Sequence, residues 1–385
     1  MGGNAFPNLP PSAKLPRLSP LLYNSLKHRL LPRLQPFYKH IAVPSEAPEK
    51  ADHGDLDFVV EGPKSISTCP DDAREPTHED IMQALGATFV VPLEANRTSN
   101  FAIPITKEWI EHGGSLDENV PQQEIYCQVD VHVCADEDEW DRIVFFHAFG
   151  DLGMILGLIA RNCGFSLGTK GLKILSNSGN PPFHLSSSFS SILAFFDLSM
   201  DTWKKGFVTQ EAAFKWAASS RFFCTRRLED AQNRSKRKER EKREMYIRFQ
   251  AWAQEQQRDE SEPNWTPETV VAEALIYFNK EAEYDALMKE YTRLASVHEA
   301  RRRVKSMFNG ILVAEWTGLC NLEVKRVMDK VRERMGGEIA MDGMTIEEIR
   351  NAVEQAALEL GNTTAHLVVH LTEGMGNMGL ARRTN

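Results

Sequence analysis

The sequence predicts an α/β protein: a small mixed-sheet domain in the amino-terminal half, followed by a mostly α-helical region. Three observations predict it. Gly54-Asp55-Leu56-Asp57-Phe58-Val59-Val60 and Gln122–Cys134 (QQEIYCQVDVHVC) alternate with the period of two that a half-buried strand requires. From Ser190 onward, apolar residues recur at helical spacing instead. Lys and Arg also gather in that second half, in runs typical of exposed helices.

Residues 1–18, with prolines at 7, 10, 11 and 16, read as an extended arm. Ser19-Pro20 is an N-cap followed by proline in the first helical turn. Leu21, Leu22, Leu26, Leu30 and Leu31 then form a helical stripe that Pro32 bends or ends. His40-Ile41-Ala42-Val43 is strand-like, Pro44-Ser45 is a turn, and the Asp55 strand follows. Pro63–Glu75 is a loop. Thr77 opens a helix with a capping-box start in which Asp80 replaces the preferred Glu or Gln. Thr88–Leu93 and Phe101–Ile105 are short strands, and Gln122–Cys134 is the long one. Asp136–Asp141 reads as an acidic loop. Asp151–Asn162 is a helix whose Gly153 and Gly157, four apart, suit close packing. Phe165–Leu175 is a hairpin turning at Gly168–Gly171, and its Lys170 and Lys173 are candidates to reach a triphosphate.

Beyond Ser190, Met200–Gly206 is a turn anchored by Trp203, and Asp259–Pro267 is a linker. Helices are expected over Gln210–Ser219, Arg221–Arg248, Pro267–Leu294, Val297–Phe308, Leu322–Met335 and Thr345–Leu360. The expected division is an arm at 1–18, a sheet domain at 19–189, a helical domain at 190–371 and a flexible tail at 372–385.

Composition sets the class. The chain has 385 residues, 42% hydrophobic and 26% charged, enough for two or three globular domains. No apolar run approaches the ~18–20 residues of a membrane span, so no membrane association is expected. Six scattered cysteines lack a Cys-x-x-Cys pair, which argues against a zinc ribbon or a disulfide scaffold. A reducing, intracellular location follows, cytoplasm or nucleus. The acid-poor start, with no Asp or Glu before Glu46, also has the composition of a mitochondrial transit peptide, but its prolines break any long amphipathic helix there. Nothing in the sequence fixes an oligomeric state.

Charge is divided along the chain. The net is −9, which argues against blanket nucleic-acid coating. Glu46–Ile81 holds eleven acids and three basic residues, whereas Arg301–Arg334 holds nine basic residues and four acids. An acidic half attracts metal; a basic helical half can hold phosphates. Arg301, Arg302, Arg303 and Lys305 are the favoured nucleic-acid contacts. Arg234–Arg243 interleaves Glu239 and Glu241, as ordinary exposed helices do. Either cluster also fits a nuclear localisation signal.

The two alternating strands carry the chemistry. Asp55 and Asp57 share one face of their strand, about 7 Å apart, and repel unless a cation lies between them. The usual cation is divalent, Mg2+ or Mn2+. Asp130 stands on the polar face of the second strand. If the strands are neighbours, three carboxylates make the pocket that two-metal phosphoryl transfer uses. His132, two residues on, reads as a solvent-face histidine.

Here the chain resembles the polymerase-β-like nucleotidyltransferase superfamily. Its pattern is a Gly-Ser turn, about ten residues, Asp-hydrophobic-Asp on a strand, and a third Asp on a later strand. Asp55, Asp57 and Asp130 match the acids, and Ser45 keeps the spacing. Pro44 stands where the superfamily prefers Gly, and proline has no N–H to offer a phosphate. Met1–Phe6, Gly150–Arg161, Ile192–Phe207 and Phe308–Leu319 also resemble an uncharacterised fungal and phage subgroup of nucleotidyltransferases. The resemblance implies transfer of a nucleoside monophosphate from a nucleoside triphosphate to an acceptor hydroxyl. Asp55, Asp57 and Asp130 would be catalytic and hold the metal; Ser45, Lys50 and Gly54 would contact the triphosphate. The sheet domain would be catalytic, and the helical domain would select the acceptor, RNA among the candidates. Two alternatives stay open: a catalytically inactive RNA-binding protein of the same fold, and a small-molecule or protein nucleotidyltransferase.

Overall fold

The two alternating runs form adjacent strands. The computed structural model describes residues 5–66, 74–93, 97–175, 180–230, 243–256 and 264–376. Its main sheet runs in the order β2 (Tyr38–Ala42), β3 (Asp55–Pro63), β6 (Glu124–Val133), β5 (Thr98–Pro104), β4 (Phe89–Leu93). β3 and β6 are parallel; the other neighbours in this order are antiparallel. Part of the extended arm joins the sheet. β1 (Ala13–Lys14) pairs with Glu124 and Ile125, at the start of β6, before β3 begins its own pairing at Gln128. Leu18 and His53 exchange backbone hydrogen bonds of 2.8 and 2.9 Å.

One face of this sheet is the core. Leu56, Phe58 and Val60 of β3, Cys127, Val129 and Val131 of β6, and Phe101 and Ile103 of β5 are all buried. They meet α1 (Pro20–Leu34) through Leu22, Leu26, Leu30 and Leu34, spaced three to four residues apart on one helical face. Ser19 caps this helix, accepting from the Leu22 amide at 3.3 Å. Pro32 lies inside the helix, which runs on to Leu34. α2 (His78–Leu85) adds Ile81 and Leu85, and its Thr77–Asp80 capping box is complete. α3 (Thr106–Glu111) follows β5.

The other face carries Asp55, Asp57 and Val59. α4 (Glu137–His147) covers its Val59 end, burying Val59, Cys134 and Ile143 together, and the Trp140 indole donates to the Val59 carbonyl at 2.9 Å. The acidic loop expected at Asp136–Asp141 is therefore a helix start. Asp136 is its N-cap, and Glu137, Asp138 and Glu139 sit in the first turn, where the helix dipole favours negative charge. α5 (Leu152–Asn162) is buried along most of its length; Gly153 packs on the Phe146 carbonyl and Gly157 near the Leu167 carbonyl. The predicted hairpin is present as β7 (Phe165–Gly168) and β8 (Gly171–Ile174), and β9 (Phe183–Ser186) adds a third antiparallel strand.

Helices follow: α6 (Phe189–Phe195), α7 (Met200–Lys205, where a turn was expected), α8 (Gln210–Ala218), α9 (Thr225–Asp230), α10 (Glu244–Glu255) and α11 (Pro267–Tyr277). The middle of the helix expected over Arg221–Arg248, including most of the Arg234–Arg243 run, lies outside the described residues, as does most of the Asp259–Pro267 linker. The boundary expected at 189/190 is not where the chain divides. The compact units are Met1–Glu281 and Ala282–Asn385. Aromatic packing is the reason: Phe145 of α4 stacks on Phe189 at 4.1 Å and on Trp203 at 4.4 Å, and Phe195 packs on Phe222 and Phe278. The first helices past 190 thus belong to the sheet domain.

The second unit has its own core. α12 (Glu281–Met307), α13 (Gly310–Thr317), α14 (Leu322–Met335) and α15 (Ile346–Gly376) bury Val304, Phe308, Val313, Val327, Val331, Ile349 and Val353. The helix break expected at 295–296 falls instead before Glu281. Asn279 there has φ +53°, a left-handed conformation Asn tolerates. Gly336, at φ +73°, ends α14 as expected. α15 continues past Leu360 into the expected tail, of which residues 377–385 lie outside the described set. Among the described residues, no single helix is long and apolar enough to cross a membrane.

Candidate metal centre

Strand register builds the site. In the parallel β3–β6 pair, Asp57 is the partner of Asp130 and Asp55 of Gln128; across the antiparallel edge, Asp130 is the partner of Asn100. One carboxylate oxygen each from Asp55, Asp57 and Asp130 lies within 4.8 Å of the other two. That is close enough for one divalent cation to touch all three. An all-carboxylate donor set suits a hard cation such as Mg2+ or Mn2+.

Electrostatics show the strain of holding these acids together. Asp57 is open to solvent by area, although protein atoms crowd around its carboxyl group. Burial, then the charges of Asp55, Asp130 and Glu46, push its pKa from 3.8 up to about 7, with Lys50 opposing. Asp130 is also shifted upward, by burial first and by Asp55, against the hydrogen bonds it accepts from Asn100 and Gln128. A bound cation would relieve both groups.

Asp130 is held from two sides. Asn100 Nδ2 donates to its Oδ1 at 2.6 Å, and Gln128 Nε2 donates to the same oxygen at 2.9 Å. Both bonds fall on the one oxygen, Oδ1. Asn100 and Gln128 are both buried, and Asn100 Oδ1 has no hydrogen-bond partner among the described residues. Gln128 Oε1 in turn accepts from the Ala5 amide at 2.9 Å, so the amino-terminal arm supports the third carboxylate.

A second network lies in the β2–β3 loop. Glu46 accepts from the Tyr23 hydroxyl at 2.8 Å, contacts His53 Nδ1 at 3.2 Å and pairs with Lys50. The Tyr23 and His53 rings stack at 3.9 Å. Burial works to raise the Glu46 pKa, but the bonds from His53, Lys50 and Tyr23 outweigh it and bring it down to about 2. Burial, Glu46 and the nearby Asp57 and Asp55 push the Tyr23 hydroxyl well above its ordinary value.

The sequence-predicted residues divide into two groups. Asp55, Asp57 and Asp130 converge. Gly54 directly precedes β3, Ser45 is exposed with its carbonyl accepting from the Phe149 amide, and Lys50 is tied to Glu46 within electrostatic reach of Asp57. Arg301, Arg302, Arg303 and Lys305 lie on α12, in the second unit. Arg303 is engaged by both Asp342 oxygens at 2.8 and 2.9 Å, while Arg301, Arg302 and Lys305 are exposed. His132 departs from expectation: it is half-buried, its Nδ1 meets Thr98 Oγ1 at 2.9 Å, and burial lowers its pKa.

Sequence reasoning missed Tyr23, Glu46, His53, Asn100 and Gln128. Gln128 alone carried a signal, being on the alternating face with Asp130. The others meet from separate segments. Comparison of the chain with protein-family models and with curated proteins finds no match.

Proposed function

We propose that this protein is a metal-dependent nucleotidyltransferase, moving a nucleoside monophosphate from a nucleoside triphosphate to an acceptor hydroxyl, with RNA the first acceptor to test. The observation that carries the reading is the convergence of Asp55, Asp57 and Asp130 on neighbouring parallel strands. The order helix, strand, Ser-bearing turn, Asp-x-Asp strand also fits the polymerase-β-like resemblance.

Asp55, Asp57 and Asp130 would hold Mg2+ or Mn2+. When bound, such a cation supplies charge stabilisation to the transferring phosphoryl group and acidifies an acceptor hydroxyl. The chain's own groups do the rest. Asn100 and Gln128 fix the Asp130 carboxylate. Glu46, through Tyr23, Lys50 and His53, ties together the loop that runs from Ser45 to Gly54. The Asp130 carboxylate accepts the acceptor's proton.

The test is transfer of label from each nucleoside triphosphate, with Mg2+ or Mn2+, into total RNA, then into protein and small-molecule pools. The reading expects covalent label with the wild type and none with Asp57→Asn. It is overturned if no pool is labelled and Mn2+ with nucleotide fails to raise the melting temperature, as a native-state ligand must.

A further inference from the structure

A second group of side chains converges away from the three acids. Lys173 on β8 is the cross-strand partner of His184 on β9. His184 Nε2 lies 3.0 Å from Ser187 Oγ, in the turn leading to α6. Arg142 approaches from α4. It sits one helical turn before Phe145, whose ring stacks on Phe189 just past that turn. The packing of Phe145 on Phe189 brings this part of α4 to the start of α6, and Arg142 lies within electrostatic reach of His184.

Arg142 and Lys173 are not in ion pairs with any described residue. Among the described residues, no carboxylate lies within ion-pair distance of Arg142 or Lys173, although Arg97 and Arg243 in the same unit are each paired with an acid. Arg142 Nε is buried with no hydrogen-bond partner. Burial, then Lys173, Lys280 and Arg142, hold the His184 pKa down, against a backbone bond at Lys170. Half-buried cations such as Arg142 and Lys173, with no ion-pair partner among the described residues, gain from the arrival of an anion.

We propose that Arg142, Lys173, His184 and Ser187 form a phosphate-binding subsite. The guanidinium and ammonium groups would grip phosphate oxygens, and Ser187 would donate to a third. α4 also covers Val59, two residues beyond Asp57 on the same face of β3. The subsite is thus carried by the helix that borders the acidic site. That the phosphate belongs to a nucleotide tail or a polynucleotide backbone rests on the nucleotidyltransferase reading.

The experiment measures binding of sodium tripolyphosphate by calorimetry, and of a fifteen-nucleotide oligouridylate by fluorescence anisotropy. Both use the full chain in EDTA, where the acids hold no metal. The double variant Arg142→Gln/Lys173→Gln should bind at least tenfold more weakly. Loss for tripolyphosphate alone assigns the subsite to the nucleotide tail, loss for RNA alone to the backbone, and loss for both to either phosphate. Binding within twofold of wild type for both probes overturns the proposal, as does a wild type that binds neither. Should the double variant unfold, Lys173→Glu alone carries the test, with at least fivefold weakening expected. Label transfer by the wild type alongside an inert subsite would defeat this proposal only; an intact subsite without transfer would defeat the enzymatic reading only.

Discussion

Asp57 of β3 and Asp130 of β6 are register partners in a parallel strand pair, so two carboxylates that neither local sequence places together stand side by side. Burial first, then the charges of Asp55 and Asp130, make ionising Asp57 costly. Between the ordinary 3.8 and about 7, native Asp57 keeps a proton that the unfolded chain has lost. The unfolded state then binds fewer protons, and stability falls as pH rises through that window, levelling above it. Because the carboxyl is open to solvent, the loss is on the order of 1 kcal/mol. In EDTA, melting temperature should decline from pH 4 to pH 7 for the wild type and stay flatter for Asp57→Asn. Mn2+ should restore the wild type. Parallel curves for the two proteins would rule this out.

Glu46 should behave in the opposite sense. Its native pKa of about 2 lies below its ordinary 4.5, so its contribution is fully present above 4.5 and is lost as pH falls toward 2. Glu46→Gln should cost about 2 kcal/mol at pH 7, because Lys50, His53 and Tyr23 lose a charged acceptor. Urea unfolding at pH 7 and at pH 3 measures it: the variant's deficit should shrink at the lower pH.

Asn100→Ala should weaken Mn2+ binding about tenfold, the scale of removing a bond that orients a metal ligand. Asp130→Ala should abolish transfer. Calorimetric titration with Mn2+ on Asn100→Ala, with circular dichroism as the folding control, decides the first; affinity equal to wild type would show that Gln128 alone suffices.

Gly153→Ala should destabilise the first unit by about 2 kcal/mol, since its methyl group would fall well inside contact with the fixed Phe146 carbonyl. At Gly157 the nearest atom, the Leu167 carbonyl oxygen, would lie 3.4 Å away. Denaturant midpoints should therefore separate the two variants, with Gly157→Ala the milder.

On α12, Arg303→Gln should lower the melting temperature of the second unit through loss of the Asp342 pair, with little effect on RNA affinity. Arg301→Gln/Arg302→Gln/Lys305→Gln should do the reverse. The logarithmic salt slope should flatten by about 0.7 for each phosphate contact removed. Anisotropy titrations at two salt concentrations distinguish the outcomes.

The sheet and its acids were legible because a strand's period of two declares which side chains share a face, as at Asp55, Asp57, Gln128 and Asp130. Caps were legible for the same local reason: Thr77–Asp80 and Gly336 act within a few residues of themselves. What escaped depended on distance or on competing local signals. Tyr23, Glu46 and His53 come from a helix and a loop that meet through long-range contacts, the Leu18–His53 pairing and the Tyr23–His53 stack among them. The acids of Asp136–Asp141 suggest a loop by composition, yet the same charges favour a helix start. The 189/190 boundary failed because the change from strands to helices does not interrupt the aromatic packing around Phe145 and Phe195.

Parallel pairing of β3 with β6 also sets an order of events during synthesis. Asp55 and Asp57 leave the ribosome before the helix, hairpin and second helix that precede β6, and therefore long before Asp130. Until β6 has emerged, β3 has an open edge and the site has only two of its three acids. The pocket closes late, so a divalent ion bound there grips the completed sheet rather than guiding its assembly. Such an ion should act as a latch: unfolding slows in its presence while the folding rate barely changes.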